Sequence, residues 1–197
     1  YEMDELAGKI QDHYRRIADR LLDENTKGPH IHVYIHSNLY HFDVWDAKEM
    51  VAMYRPGECH LSEDTLGYIP HEMTHLIQAA IPGAERTSPW ISEGLAEYMG
   101  NPPWGMSLNT WVAGFRKTGD YVPLKRLVDP RQFRKINPVV AYEEAGALVQ
   151  FWIETKGFSH FRKAIGAARP VEILLAGRTM ESLEAEWLET IDTIDPD

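Results

Sequence analysis

The feature that most constrains this chain is the pentapeptide His71-Glu72-Met73-Thr74-His75, which lies in an apolar segment that ends at Ala80. Residues four apart lie on the same face of an α-helix, one turn above the other. The segment therefore predicts a helix on which both imidazoles reach one metal ion, with Glu72 close enough to contact a water beside it. Because histidines also fall at this spacing by chance, a metal site needs a third ligand from elsewhere in the chain.

The next predicted helix offers that ligand. Ser88 is a suitable N-cap, Pro89 suits the first helical position, and Gly100 suits the C-terminal stop. The loop through Pro82-Gly83 makes the two helices antiparallel neighbours, so Glu93 can face the histidines. Two histidines and one glutamate with an open fourth position form the ligand set of a hydrolytic zinc centre.

Each side chain has an expected role and an alternative. Glu72 is the expected general base, which takes a proton from the attacking water and passes it to the leaving amine; a surface charge or an inactive zinc site is the alternative. For His71, His75 and Glu93 the alternative is a buried helix pair with satisfied polar groups. Glu97, one turn beyond Glu93, is the expected partner of the second ring N–H of a histidine ligand, or else a solvated helix residue.

Composition limits the class of protein. The 197 residues, 44% of them hydrophobic and 11% aromatic, suit one compact domain, or one domain split into two lobes around a cleft. The net charge of −10 and the pI of 5.4 argue against nucleic acid or anionic membrane as partner. The chain has no apolar run of the roughly 18 residues that a membrane span requires. Cys59 is the only cysteine, so we expect a small buried side chain rather than a disulfide or a thiolate ligand.

The N-terminal part predicts one helix and three strands. The helix has an apolar stripe and ends near Asn25; the stripe is Met3, Leu6, Ile10, Tyr14, Ile17 and Leu21. The alternation from His30 to His36 predicts a half-buried strand. Its histidines at 30, 32 and 36 share a face, which allows a second metal site, although histidine on the wet side of a strand is ordinary.

Two further short strands, Met50–Tyr54 and Glu58–Leu61, are joined through the turn signal Arg55-Pro56-Gly57. We expect the Glu58–Ser62 segment to form a sheet edge on which a peptide substrate could add as a strand. The active-site helix follows, and Pro70 requires that it begin late, near Ile69, or be kinked there.

A shift in composition at Asn101-Pro102-Pro103-Trp104-Gly105 predicts the boundary between an N-terminal lobe, residues 1–100, and a helical C-terminal lobe, residues 101–197. In the second lobe Ser107, Asn137 and Thr179 are the expected helix N-caps. The predicted fold class is α+β: a small N-terminal sheet with the active-site helix, a mainly helical C-terminal lobe, and a cleft between them.

The motifs resemble those of the gluzincin superfamily of zinc metallopeptidases, which includes thermolysin-like enzymes and a group of zinc aminopeptidases. His71–His75 followed by Trp90-Ile91-Ser92-Glu93-Gly94-Leu95-Ala96-Glu97-Tyr98 is similar to their H-E-x-x-H and N-E-x-x-D or N-E-G-x-A stretches. The resemblance implies a zincin-like fold, with His71, His75 and Glu93 as zinc ligands, Glu72 as base and Glu97 as support for a histidine. Ser92 stands where many members have Asn.

A second stretch, Ala141-Tyr142-Glu143-Glu144-Ala145-Gly146, resembles the aminopeptidase helix whose tyrosine stabilises the oxyanion. This implies Tyr142 as an electrophilic donor, with Glu144 in place of the usual Lys; the alternative for Tyr142 is a core aromatic. Ala52-Met53-Tyr54-Arg55 does not match the G-A-M-E-N stretch that holds a substrate's free amine, which favours an endopeptidase.

Other functions stay open at this point. A peptide deformylase uses H-E-x-x-H with a cysteine ligand, but Glu58-Cys59-His60-Leu61-Ser62 lacks the glycine of its motif and leaves Glu93 unexplained. A gluzincin-like domain that binds peptides or a protein with little or no turnover is the main alternative to an active zinc peptidase. The chain begins at Tyr1, so we expect a processed or trimmed chain whose targeting signal is lost from view; its location stays open, with secretion or the periplasm after processing as one alternative.

Overall fold

The computed structural model of the chain describes residues 3–36, 52–55, 57–100 and 105–194. Within these residues ten α-helices accompany one three-stranded sheet, so the protein belongs to the α+β class. Its contacts divide the chain into two compact units, Tyr1–Pro82 with Met99–Pro103, and Gly83–Tyr98 with Trp104–Asp197. The lobe boundary expected between residues 100 and 101 stays a prediction, since residues 101–104 lie outside the described part of the chain.

The first unit begins with α1 (Met3–Leu21), which packs against α2 (Ile69–Gln78). Leu6, Ile17 and Leu21 from the predicted stripe are buried. The amphipathic helix is therefore confirmed, although it ends about one turn before Asn25.

The sheet contains β1 (His32–His36), β2 (Ala52–Arg55) and β3 (Glu58–Ser62) in the order β1-β3-β2. β2 and β3 form the predicted antiparallel hairpin, and β1 pairs with β3 in parallel. The expectation that Glu58–Ser62 forms a sheet edge is wrong, because β3 lies between two partners. The parallel pairing of β3 with β1 joins distant parts of the chain, and the β3 sequence contains no local pattern that predicts it.

The chain enters the motif helix through a 3₁₀ segment, Glu63–Tyr68. At its start the Ser62 backbone N–H donates to Thr65 Oγ1 at 2.9 Å. Pro70 occupies the first turn of α2, where its missing N–H removes no helical hydrogen bond. The helix therefore begins at Ile69, as one of the two predicted alternatives requires.

Helices make up the second unit. They are α3 (Pro89–Gly100), α4 (Leu108–Thr118), α5 (Leu124–Leu127), α6 (Pro130–Phe133), α7 (Pro138–Lys156), α8 (Phe158–Arg162), α9 (Pro170–Leu175) and α10 (Met180–Ile191). α7 packs against α4, α5 and α8 and is apolar around most of its circumference, as a central helix must be. Buried aromatic side chains fill the core of this unit, among them Trp90, Trp152, Phe161 and Trp187.

The predicted N-caps of the second unit are confirmed with one exception. Ser107, Asn137 and Thr179 each accept a hydrogen bond from a backbone N–H in the first turn of their helix. Ser88 precedes α3, but its buried Oγ makes no hydrogen bond within the described residues. Its carbonyl instead accepts from the N–H groups of Ile91 and Ser92.

No helix in the described segments is both long enough and apolar enough to cross a membrane.

Candidate metal centre

His71 and His75 lie one turn apart on α2, and their Nε2 atoms are 3.2 Å apart. Two nitrogens bound to one tetrahedral zinc at 2.0–2.1 Å lie about 3.3–3.4 Å from each other. The two rings are steeply inclined, with an interplanar angle of 74° and centroids 5.0 Å apart. Both side chains are buried, at 8% and 6% exposure, which limits competition from water. The pair therefore already has the spacing that a shared metal ion requires.

Glu93 lies in the second turn of α3 and is partly buried. One ligand atom from each of His71, His75 and Glu93 falls within 4.8 Å of the others, so the three could hold a metal ion. Two imidazole nitrogens and one carboxylate oxygen form a borderline donor set, which suits zinc. The residues present thus fit the predicted group.

The backbone around Glu93 is held by a close helix crossing within the second unit. A Cβ at Gly94 would lie 2.5 Å from the carbonyl oxygen of Ala145, on α7. A Cβ at Gly146 would lie 2.8 Å from Cβ of Glu97. Gly94 is therefore required where the backbones of α3 and α7 touch, and Gly146 where α7 meets the side chain of Glu97. Glu97 itself is 7% exposed, so the alternative of a solvated helix residue is wrong, while its proposed role beside a histidine stays a prediction.

Glu72 follows His71 directly and is partly buried. Its negative charge acts on Cys59, whose side chain is fully buried in β3. Burial, and to a smaller extent the charge of Glu72, raise the pKa of the Cys59 thiol to about 12. Cys59 is therefore a neutral buried side chain, as expected, and does not belong to the group of ligand atoms that the described residues bring together.

Tyr142 and Glu93 line one cavity of about 390 Å³ in the second unit. The Tyr142 ring stacks on Phe133 with centroids 6.1 Å apart and an interplanar angle of 5°. Since the ring is partly buried and packed on one side, its position along the cavity wall is determined by α6 and α7. The electrophilic role of Tyr142 stays a prediction.

Glu144, which stands where the resembling helix has Lys, does not line this cavity. Its fully buried carboxylate accepts a hydrogen bond from the Val122 N–H at 2.9 Å. Burial, with a smaller contribution from the charge of Glu184, raises the pKa of Glu144 to about 8, although the hydrogen bond from Val122 works in the opposite direction. The Glu144 side chain thus anchors the backbone segment before α5 by a hydrogen bond and is not placed to contact a substrate in this cavity.

The histidines of the sheet form a different arrangement. His36 Nε2 and His60 Nδ1 are 3.2 Å apart, and the two rings are nearly parallel, with an interplanar angle of 12° and centroids 5.4 Å apart. The separation of the two nitrogens is that of a hydrogen bond. His60 Nε2 lies 3.2 Å from a carboxylate oxygen of Glu58, so the groups form a hydrogen-bonded chain. Burial and the neighbouring His60 lower the pKa of His36.

Among the described residues, the group that could hold a metal ion does not include His30, His32 or His36. The structure therefore gives no support to a second metal site on this strand.

Two features of the site were not predicted from the sequence. One is the tight crossing at Gly94, for which the available signal is a glycine inside a helical pattern, a position where backbones can approach closely. The other is the wall of the cavity formed by Phe133 and Arg134, some forty residues beyond Glu93 in the chain. No spacing rule connects such distant positions.

Comparisons with protein-family models, with curated proteins and with solved structures found no match to this chain.

Proposed function

We propose that this protein is a zinc-dependent metallopeptidase with a zincin-like, gluzincin-type active site, and that it hydrolyses internal peptide bonds. The observation that carries the proposal is the group of ligand atoms from His71, His75 and Glu93 within 4.8 Å of one another. These three side chains would hold one zinc ion through two nitrogens and one oxygen. Such a three-ligand set leaves a coordination position open, which distinguishes catalytic zinc sites from closed structural ones.

The reaction then needs one acid–base residue. A bound zinc ion supplies Lewis acidity, which polarises a carbonyl group and makes water more acidic. Glu72 accepts a proton from the attacking water on its carboxylate and donates it to the nitrogen of the leaving amine. The proton lost by water is thus the one gained by the amine, and Glu72 ends the reaction ionised as it began.

Two further side chains complete the proposed machinery. The Tyr142 hydroxyl, in the cavity that also exposes Glu93, donates a hydrogen bond to the substrate oxygen as negative charge develops there. Glu97 accepts from the second ring N–H of a histidine ligand and so keeps its metal-binding nitrogen unprotonated. Both roles rest on the resemblance to gluzincins together with the burial and placement of these residues.

A peptide digest with matched variants tests the proposal. Zinc-loaded protein is incubated with a quenched-fluorescence peptide library, with and without a chelator. We expect chelator-sensitive cleavage at internal bonds, and in Glu72→Gln a loss of kcat of about 10²- to 10⁴-fold with zinc still bound. Glu85→Gln is the matched control, because Glu85 is exposed and paired with Arg86 on a loop outside the site.

Two results would decide against the proposal. Protein purified without chelator that fails to take up zinc contradicts the site itself. Stoichiometric zinc without cleavage of any library peptide contradicts hydrolysis and favours the alternative, a domain that binds peptides without turnover.

A further inference from the structure

The wall of the cavity that contains Glu93 and Tyr142 is about half apolar and half polar. Its volume of about 390 Å³ falls in the range of small-ligand pockets. The apolar part comes from the end of α6, the segment after it and the start of α7, namely Phe133, Ile136, Pro138 and Ala141, together with Pro89 of α3. A peptide side chain of moderate size fits such a space, and charged groups on the wall will select among side chains.

Among the residues that the structure describes, Arg134 is the one positively charged residue that lines this cavity. Its side chain is exposed, and within the described part of the chain its guanidinium makes neither an ion pair nor a hydrogen bond. Among the described residues of the same unit, Arg116 and Arg178 each pair with an acid, whereas Arg126 and Arg131, like Arg134, make no ion pair. The chain carries 30 acidic residues against 20 basic ones, so an unpaired cation facing a cavity is not explained by a shortage of acids.

The backbone of Arg134 is well anchored relative to Tyr142. Asp129 Oδ1 accepts from the N–H groups of Arg131 and Gln132 and so caps the short helix α6. At the other end of α6, the Arg134 N–H donates to the Gln132 carbonyl. Between these points Phe133 is buried and stacks on Tyr142. The guanidinium therefore starts from a defined place on the cavity wall, beside the proposed oxyanion donor.

We propose that Arg134 binds a carboxylate of the substrate, supplied either by the C-terminus of a peptide or by an Asp or Glu side chain near the scissile bond. The guanidinium fork matches a carboxylate with two parallel hydrogen bonds. The net charge of −10 disfavours approach of an anionic peptide, and an unpaired arginine in the cavity offsets that repulsion locally. This proposal rests on the proposed peptidase function, since it assigns the specificity of the same site.

Binding to a non-hydrolysing variant tests it independently of turnover. The probes are acetyl-Phe-Leu-Phe as the free acid and as its C-terminal amide, titrated calorimetrically into zinc-loaded Glu72→Gln protein. A second pair, acetyl-Phe-Glu-Phe-amide and acetyl-Phe-Gln-Phe-amide, asks whether a side-chain carboxylate serves instead. In one of the two pairs, we expect the peptide that carries the carboxylate to bind about ten- to a hundredfold more tightly than its neutral partner.

Adding Arg134→Gln should abolish that preference and leave the affinity for the neutral peptides within about twofold. Arg131→Gln is the matched control, because Arg131 is an exposed arginine of the same short helix that does not line the cavity. The preference should survive this change.

Three results overturn the proposal. The first is equal affinity for both members of each pair, which includes no measurable binding of either. The second is a preference for the carboxylate that persists in Arg134→Gln, as when the carboxylate binds the metal, and the third is an equal loss of that preference in Arg131→Gln. None of these depends on whether the wild-type enzyme cleaves peptides. A wild type that cuts nothing contradicts the proposed function alone, and the titrations still decide the role of Arg134.

Discussion

A methyl group at Gly94 would come within 2.5 Å of the Ala145 carbonyl oxygen, so α3 and α7 meet with their backbones in contact. The contact lies one residue from Glu93 and three residues from Tyr142. The helix crossing therefore controls the placement of both a proposed zinc ligand and the proposed oxyanion donor. It also explains why the residue after Glu93, the proposed third ligand, is glycine.

Gly94→Ala tests the importance of this crossing. The added methyl group cannot be accommodated without moving one backbone, so we expect a loss of about 1–3 kcal/mol in the free energy of unfolding and weaker zinc binding. Urea denaturation and a zinc titration measure the two effects. Gly114→Ala is the control, because nothing lies within 4 Å of a Cβ built there and α4 should gain up to about 1 kcal/mol. Equal stability of the two variants would contradict the tight crossing.

Removing any one proposed ligand should weaken zinc binding. His71→Ala, His75→Ala and Glu93→Gln each leave two of three donors, and we expect at least about a hundredfold loss of affinity, a larger loss than the removal of a supporting group causes. Competition with a chromophoric chelator measures it. His32→Ala serves as the control, since His32 is exposed on β1 and outside the group. Unchanged affinity in Glu93→Gln would remove Glu93 from the site.

Tyr142→Phe keeps the aromatic stacking on Phe133 and removes only the hydroxyl. If that hydroxyl stabilises the developing oxyanion, kcat should fall about 10²-fold while KM and zinc affinity change little. Steady-state kinetics on a cleaved library peptide provide the measurement. In the control Tyr121→Phe, a hydrogen bond to Glu184 is lost away from the cavity, which should lower stability and spare kcat. A similar loss of kcat in both variants argues for a structural role.

Glu144 should make stability depend on pH. Its pKa in the folded protein is about 8, against an ordinary value of 4.5. Between these pH values the unfolded chain has released the proton and the folded chain still holds it, so stability falls as pH rises through this window and levels off above pH 8. The decrease should be on the order of 3–4 kcal/mol between pH 5 and pH 8.

Glu144→Gln keeps an oxygen acceptor for the Val122 N–H and removes the titration. We therefore expect the variant to gain stability relative to the wild type as pH rises from 5 to 8, measured by urea denaturation at both values. A difference between the two proteins that does not change with pH would show that Glu144 is already ionised in the folded state at pH 5.

Much of the local structure was predictable, because it depends on residues close together in the chain. The stripe containing Leu6, Ile17 and Leu21 predicted α1, and Ser107, Asn137 and Thr179 were recognisable as caps. Pro70 determined where α2 begins, since proline is tolerated only in the first turn. The spacing of His71 and His75 placed two imidazoles on one helix face before any tertiary contact was known.

Other features were mispredicted or missed because distant residues decide them. β3 follows a turn and resembles an edge strand, but its parallel pairing with β1 makes it the central strand. Ser88 has the chemistry of a cap, yet its buried Oγ makes no hydrogen bond within the described residues. The sequence around Glu144 does not predict that its carboxylate is fully buried and accepts a hydrogen bond from the Val122 N–H.

The sequence by itself determined that His71 and His75 lie one helical turn apart and that Glu72 directly follows His71. It also determined that Glu93 follows on the next helix. Those properties come from helical periodicity, which acts over four residues. Only the tertiary structure decided that Glu93 comes within 4.8 Å of the histidine nitrogens. It also decided that Tyr142 and Arg134 share a cavity with Glu93. These placements depend on how closely α3 and α7 cross and where α6 packs, and such distances are set by the shapes of many side chains at once.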